Sequence, residues 1–375
     1  MSKRFSLKDH LFNKKSVTYF AGLFYAQDKS FPKDAFIKNV LTQFLDLELK
    51  QRITCMRDEL ARTLPDNYEQ ALTILLRALP PELDTTKTDD DFGEFILAPF
   101  AEFVAHYGCT KKYVSMSLQA LCEMTKRFSA ENAIRYFINA FPKETFIFLT
   151  KAARSDNYHV RRLSSEGTRP KLPWCPGIIT DYKRPLEILD ILFADTTRYV
   201  TRSVANHMND ISKIDPKRVV AKLKEWKESG KQDPKEMDFI MNHALRTLIK
   251  KGDREALAVL GYLPKPKIRI DDKAIHTPQV RIGGILEFSF AMHSLAEQHL
   301  MIDYIVHHQT RSGTSEKIFK IKKLGMKRGE SITLSKKQAF RVMTTRKLYP
   351  GEHKLELQIN GVRYPLGTFQ LVTGN

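Results

Sequence analysis

Residues 160–166 read VRRLSSE and residues 200–206 read VTRSVAN. Val160 aligns with Val200 and Arg162 with Arg202, a spacing of forty, and Asn242-His243-Ala244-Leu245-Arg246 gives a looser echo. A period near forty, with Arg after Val at a helix start, is the signature of stacked helix pairs. One pair cannot bury its apolar face alone, so neighbours stack into a curved solenoid. Its concave face collects the first residues of the inner helices. The competing reading of the same stretch is an irregular all-helical domain.

Outward from this repeat, the chain reads helical from Leu7 to about Leu260. In Tyr113–Phe128, Val114, Leu118, Leu121, Cys122 and Met124 fall near a 3.6-residue period. Ser129 before Ala130 and Glu131 predicts a helix through Phe137, Pro142 opens another, and Asp215-Pro216 is a further start signal. Leu83–Asp91, LDTTKTDDD, reads as a polar loop before Phe92. The texture changes after Gly261-Tyr262-Leu263-Pro264. Lys265–Arg269 reads as an extended basic linker, and short runs of period two follow at 284–290, 300–306, 317–322, 353–359 and 368–372. Asn360-Gly361 marks a hairpin turn. The expected fold is mainly α: a HEAT-like helical-repeat solenoid over residues 1–262, then a small immunoglobulin-like β-sandwich of about seven strands over 263–375.

Composition sets the partner class. The chain has 375 residues with a net charge of +18. From Lys265 onward, nineteen Lys and Arg stand against nine Asp and Glu, so the small module is the denser positive element. Lys322, Lys323, Lys327 and Arg328 cluster about an expected turn, as do Arg341, Arg346 and Lys347. Such a surface collects polyanions, with nucleic acid ahead of an anionic membrane. No 18-residue uncharged apolar stretch occurs, and MSKRFSLKDHLFN has no apolar run behind it, so neither a spanning helix nor a secretory signal is expected. Cys55, Cys109, Cys122 and Cys175 form no CxxC pair, which argues against structural zinc and for a reduced, cytoplasmic setting.

The densest unusual segment is Arg154–Gly177, RSDNYHVRRLSSEGTRPKLPWCPG. Arg154, Arg161, Arg162, Arg169 and Lys171 can clamp phosphates. Glu166 stands among them, either as an ion-pair partner or as a group kept ionised beside a cationic substrate. Trp174 sits in a stiff loop between Pro173 and Pro176, either against a sugar or base or tucked against the core. His159, His207 and His243 lack an HExxH pattern and read as surface or cap residues. No GxGxxG follows a strand and no GxxxxGK[ST] occurs, so nucleotide-dependent catalysis has no anchor, and no cofactor or metal is expected.

VRRLSSEGTRPKLPW, with YVTRSVANHMNDISK forty residues on and LCEMTKRFSAENAIR before it, resembles the DNA alkylation repair proteins called AlkC. These belong to the wider HEAT-like family of alkylpurine DNA glycosylases. The resemblance covers the helical part, and some members add a C-terminal immunoglobulin-like domain. It implies excision of cationic N-methylated bases, 3-methyladenine above all and 3-methylcytosine in some members, from duplex DNA without base flipping. It assigns the catalytic positions to Glu131, Glu166, Trp174 and Asp210, with Asp195 as the alternative Asp. The family's Ser-Glu-Phe-Ala-Ile-Arg motif has Asn132 here in place of its Phe.

The chemistry suits those residue types. A ring-alkylated base leaves as a neutral group, so the transition state gathers positive charge on the deoxyribose, which carboxylates stabilise while orienting water onto C1′. A Trp face holds the cation. Phosphate contacts are expected from Arg154, Arg161, Arg162, Arg169, Lys171, Arg198, Arg202, Arg246, Lys322, Lys323, Lys327 and Arg328. The expected protein is a monofunctional, monomeric, cytoplasmic enzyme associated with the nucleoid, with no membrane partner. The rival is a non-enzymatic helical-repeat scaffold for nucleic acid or protein.

Overall fold

The computed structural model describes residues 5–87, 93–342 and 347–373. The end of the acidic loop at 88–91, Phe92, and Arg346 of the second basic cluster lie outside the described residues. The chain divides into two compact units: Met1–Ile214 with Glu225–Ala244, and Asp215–Lys224 with Leu245–Asn375. Helices run to Arg254–Val259 and the first strand begins at Ile268.

The helices expected from periodicity and start signals are found at Val114–Thr125, Glu131–Ala140, Pro142–Ala152 and Pro216–Glu228. The helix Tyr158–Glu166 opens where Asn157 Oδ1 accepts from the His159 amide at 2.9 Å, satisfying one of the orphan donors of the first turn. It ends at Gly167, where a Cβ would lie 2.5 Å from Ile134 Cγ2, so glycine lets this end sit directly on the helix Glu131–Ala140.

Tyr158–Glu166, Arg198–Ile211 and Pro234–Ala244 pack against one another in sequence. The forty-residue spacing acquires a physical meaning here. Val160 and Val200 are both buried. Ser203 Oγ donates to Glu166 Oε2 at 2.6 Å, across 37 residues of chain. His207 Nδ1 meets the Ser165 carbonyl at 3.1 Å. Burying Val200, Val204, Met208 and Ile211 on one face contributes roughly 1.5–3 kcal/mol each.

His159 and His207 depart from the sequence reading, since both are buried; His243 sits in the last turn of its helix, with Nε2 2.8 Å from Asn206 Oδ1. His207 falls on the same helix face as Val200, Val204 and Met208, so periodicity carries it inward. Burial, aided by the nearby Arg169 cation, lowers its pKa from 6.5 to about 4. The imidazole is therefore neutral, and Nδ1 must carry the proton given to Ser165. The unfolded chain binds a proton in the window between pH 6.5 and 4 that the folded chain refuses. This contribution to stability is complete above pH 6.5 and is lost as pH falls toward 4, by about 1.4 kcal/mol per pH unit. Denaturant midpoints at pH 7 and pH 5 should show that loss for the parent, and a smaller loss for His207→Gln.

The second unit carries eight strands among the described residues: β1 Ile268–Ile275, β2 Gln279–Arg281, β3 Ile285–Ser294, β4 Gln298–Thr310, β5 Gly313–Met326, β6 Ser331–Ala339, β7 Gly351–Ile359 and β8 Val362–Val372. They form a three-stranded sheet, β1-β3-β6, and a five-stranded sheet, β2-β8-β7-β4-β5. Every pairing is antiparallel except β2 with β8. Alternate residues of β3 (Leu286, Phe288, Phe290, Met292) and of β4 (Leu300, Ile302, Tyr304, Val306) enter one core with Leu355, Leu357 and Phe369. Asn360 and Gly361 join β7 to β8 with φ of 46° and 78°, as a two-residue primed turn requires.

Two sequence expectations change. The linker read at Lys265–Arg269 already contains the first residues of β1, and Lys322 and Lys323 lie within β5 rather than at a turn; only Lys327 and Arg328 follow it. Strand β5 runs longer than its central alternation because β4 pairs with it over its whole length. Among the described residues no helix is long and apolar enough to cross a membrane.

Candidate active site

The Pro-rich segment after Gly167 is moored by the helix Glu131–Ala140. Arg135, fully buried, donates to the carbonyls of Gly167 at 3.1 Å, Arg169 at 2.8 Å and Pro176 at 2.6 Å. Asn139 brackets the same loop, donating to the Gly177 carbonyl at 2.8 Å and accepting from the Ile179 amide at 3.1 Å. Three carbonyls depend on one guanidinium, so Arg135→Met is expected to cost about 3 kcal/mol. A chemical-denaturation midpoint checks this, and accelerated amide exchange confined to the loop would show where the loss falls.

Trp174 stands out of this moored loop with 66% of its surface exposed. Its φ is 65°, the left-handed region that a bulky residue avoids, at a cost of roughly 1–3 kcal/mol. The Lys50 ammonium, from the helix Leu49–Thr63, donates to the Trp174 carbonyl. The indole is thus held outward rather than tucked against the core.

Behind it runs a chain of alternating charge. Glu131 Oε2 accepts from Arg162 Nη1 at 2.9 Å and from the Ser129 hydroxyl at 2.7 Å. Arg162 Nη2 lies 3.9 Å from Glu166, and its guanidinium stacks over Tyr199 at 4.3 Å. Glu166 accepts from Arg169 Nη1 at 2.5 Å. Arg169 in turn pairs with Asp210 at 2.9 Å, and Asp210 with Lys213 at 3.1 Å. Burial opposes ionisation of Glu166, but Arg162, Arg169 and the Ser203 hydroxyl outweigh it and hold the carboxyl below its ordinary range. Burial pushes the Cys175 thiol up to about 11, with Glu131 adding to the effect, so it is a poor nucleophile at neutral pH.

A cleft of about 830 Å³ opens beside this chain, lined by Glu131, Asn132, Arg162, Trp174, Lys50 and Glu102 among others. The structure therefore brings Glu131 and Trp174 to one cavity. Glu166 and Asp210 join them through ion pairs but lie buried behind Arg162 and Arg169. Asp195 does not join. It receives Arg161 through both oxygens, at 2.5 and 3.0 Å, and accepts from the Thr197 amide at 2.8 Å, which fixes the start of the helix Arg198–Ile211.

Several cations expected on phosphates are engaged within the chain: Arg161 by Asp195, Arg162 and Arg169 by the acids above, and Arg198 by Glu236 at 2.5 Å with its guanidinium over Phe239. Arg154 and Lys171 are exposed on the helical unit, and Arg202 is half-buried there. Arg246, Lys322, Lys323, Lys327 and Arg328 are exposed on the strand-rich unit. Sequence reasoning missed Lys50, Glu102 and the mooring role of Arg135. Lys50 lies 124 residues from its partner, whereas Glu102 left a signal as the lone carboxylate of a largely apolar helix, APFAEFVAHY.

Residues 269–373 match the family model described as "Uncharacterised protein YhaZ, C-terminal Ig-like domain". The Bacillus subtilis (strain 168) protein YhaZ, itself described as uncharacterised, is 34% identical over 336 residues, covering 88% of this chain and 90% of its own. Among solved structures, the Pseudomonas fluorescens alkylpurine DNA glycosylase AlkC, bound to DNA containing an abasic site analogue, is 31% identical. It superposes over 98% of this chain and 99% of its own with a TM-score of 0.85.

Proposed function

The chain belongs to the YhaZ family, and we propose that it is a DNA-repair glycosylase that hydrolyses the N-glycosidic bond of cationic alkylated bases in duplex DNA. The observation that carries this reading is the end-to-end likeness to AlkC, a DNA-bound alkylpurine glycosylase, at 31% identity. The substrate is 3-methyladenine first and 3-methylcytosine second, acted on without base flipping, and the product is an abasic site.

The mechanism follows from the charge that develops. The alkylated base departs neutral and needs no proton from the protein. Positive charge then accumulates on the sugar, and Glu131, at the wall of the cleft, stabilises it and orients water toward C1′. Glu166 and Asp210 set the field behind it and keep Arg162 and Arg169 in place. Trp174, held in its unfavourable backbone state by Lys50 and the moored loop, packs on the lesion nucleotide and adds cation–π attraction. The helical part, residues 1–262, carries the chemistry. The sandwich, residues 263–375, grips the duplex through Lys322, Lys323, Lys327 and Arg328. The enzyme acts as a cytoplasmic monomer among the nucleoid, with no cofactor and no membrane partner.

The test is base release. Methylated duplex DNA incubated with the protein should yield free 3-methyladenine, with strand breaks appearing only after alkali, because Lys50, the lysine that lines the cleft, has its ammonium engaged by the Trp174 carbonyl. Duplex binding with no base release and no alkali-labile sites would leave the scaffold reading in its place.

A further inference from the structure

A carboxylate of the strand-rich unit is buried with only neutral and distant company. Asp303, in the middle of β4, is 7% exposed, and among the described residues no hydrogen-bond donor reaches it. Residues opposite one another on antiparallel strands share a sheet face, with Cβ atoms about 5 Å apart. Asp303 stands opposite Lys320 of β5 on one side and Gln358 of β7 on the other. Gln358 is buried, and its Nε2 donates to the Lys250 carbonyl at 3.3 Å. A carbonyl can only accept, so this bond fixes the amide orientation, and Oε1 is left without a partner among the described residues. The helix Arg246–Lys251 covers this part of the sheet. Its glycine cap, Gly252, approaches the β7–β8 turn so closely that a Cβ there would lie 2.9 Å from Gly361 Cα. All these residues belong to the second unit.

A proton resolves this pairing. The carboxylate and Gln358 Oε1 are both acceptors, and a metal cation between them would be repelled by Lys320, Lys323 and Lys250. Burial raises the Asp303 pKa from 3.8 to about 6, against the opposing pull of those three lysines. Two of them lie on β5 and the third on the covering helix. From the segment after Arg254–Val259, the Tyr262 phenol feels the same carboxylate. Burial and that charge raise its pKa, so it stays neutral. Beyond Gln358 the row continues to Arg363 of β8, which is engaged by Glu316 at 2.8 Å. Burial and Lys320 lower the Lys323 pKa, and Asp303 opposes them. The charge on Asp303 and the charge that β5 presents to solvent are therefore coupled.

We infer that Asp303 is a proton-binding residue that tunes the hold of β5 on duplex DNA: neutral, it donates to Gln358 Oε1, and ionised, it offsets Lys320 and Lys323. The neutral form leaves both ammonium groups to the phosphates, and the ionised form weakens that attraction. The duplex half of this inference rests on the glycosylase reading; the proton site stands without it. By reciprocity, a bound polyanion makes the carboxyl easier to protonate, so duplex binding near pH 6 takes up protons. The raised pKa also sets a sign for stability. The folded chain binds this proton more readily than the unfolded one. The contribution of Asp303 is therefore full below pH 3.8 and is lost as pH rises through about 6. His207 acts in the opposite direction over an overlapping window, so the comparison is with a variant at Asp303 and not with pH alone.

The test compares the parent with Asp303→Asn, whose amide can donate to Gln358 as the protonated acid would. Affinity for a short unmodified duplex is measured at about pH 5 and pH 7.5 and one salt concentration, so that contributions common to both proteins cancel in the ratio. Asp303→Asn should bind about threefold more tightly than the parent at the higher pH and equally at the lower one. Without DNA, its denaturant midpoint should gain on that of the parent over the same rise in pH. Lys320→Gln, an exposed change, keeps the idea open to refutation should Asp303→Asn fail to fold. With the opposite cation removed, the loss of stability on raising the pH should set in at a higher pH than in the parent, and an unchanged onset overturns the proton site. Midpoints of parent and folded Asp303→Asn that respond alike to pH, as a bridging water in place of the proton would give, overturn it too. An affinity ratio equal at both pH values overturns the coupling to β5. Release of 3-methyladenine by the parent is scored separately, so a protein that excises the base yet gives either result refutes this inference alone. A protein that binds no duplex sinks the glycosylase reading, and the midpoints still decide the proton site.

Discussion

Replacing Glu131 with Gln is expected to slow release of 3-methyladenine about 10²–10³-fold while duplex affinity stays within about threefold of the parent. The substitution keeps shape and leaves Ser129 and Arg162 a hydrogen-bonding oxygen. What it removes is a full negative charge at the cleft wall, where the sugar would become positive. The loss therefore belongs to the transition state rather than to ground-state binding, and kcat should fall with KM nearly fixed. Stability should change little, because Arg162 retains Glu166 and its stacking on Tyr199. Single-turnover release and a denaturant midpoint, measured on one preparation, separate these effects. A variant that loses duplex binding and release together would place Glu131 in DNA binding instead.

Arg169→Met is expected to have the largest effect on stability, a loss of about 3–5 kcal/mol. Arg169 is the shared partner of two carboxylates, and both Glu166 and Asp210 are 4% exposed. Removing the guanidinium leaves Glu166 with Arg162, at 3.9 Å, as its remaining cation beside the Ser203 hydroxyl, and leaves Asp210 with the half-exposed Lys213 as its cation. Buried charge without a close partner is costly, and methionine fills the space without relieving it. The double change Arg169→Met with Glu166→Gln should recover part of the loss, since it neutralises one orphaned acid. A differential scan of the parent and the two variants checks the order. Equal midpoints for the single and double variants would mean that the unpaired Glu166 charge is not the source of the loss.

Much of the fold was legible because the two units use different periods. The helical stretch carries 3.6-residue spacing and Pro or Asn start signals, and the strands carry alternation with an Asn-Gly turn. The strands that escaped notice were those with weak alternation or little length: β1 reads IRIDDKAI, its alternation broken by two adjacent acids, β2 has three residues, and β6 reads SITLSKKQA, turning only Ile332 and Leu334 toward the core beneath a polar face. The candidate site was legible in its sequence-local part. Arg154–Gly177 and the stretch around Glu131 are dense in charge, and their residues meet in the structure. The rest was hidden for physical reasons. Composition cannot tell a paired cation from an outward one, so Arg161, Arg162 and Arg169 read as phosphate clamps although each is engaged by a carboxylate. The left-handed backbone of Trp174 comes from tertiary moorings by Arg135, Asn139 and Lys50, which no local signal encodes. His207 was misplaced because a histidine on an apolar helix face was weighed by its type and not by its position.

The most direct test of the account is single-turnover release from a duplex with one 3-methyladenine, using excess parent protein beside Trp174→Ala. Release by the parent should run far above the spontaneous rate. Trp174→Ala should lose about 10²-fold or more of that release, with duplex affinity retained. Folded parent protein that binds the duplex and releases base no faster than buffer alone would contradict it.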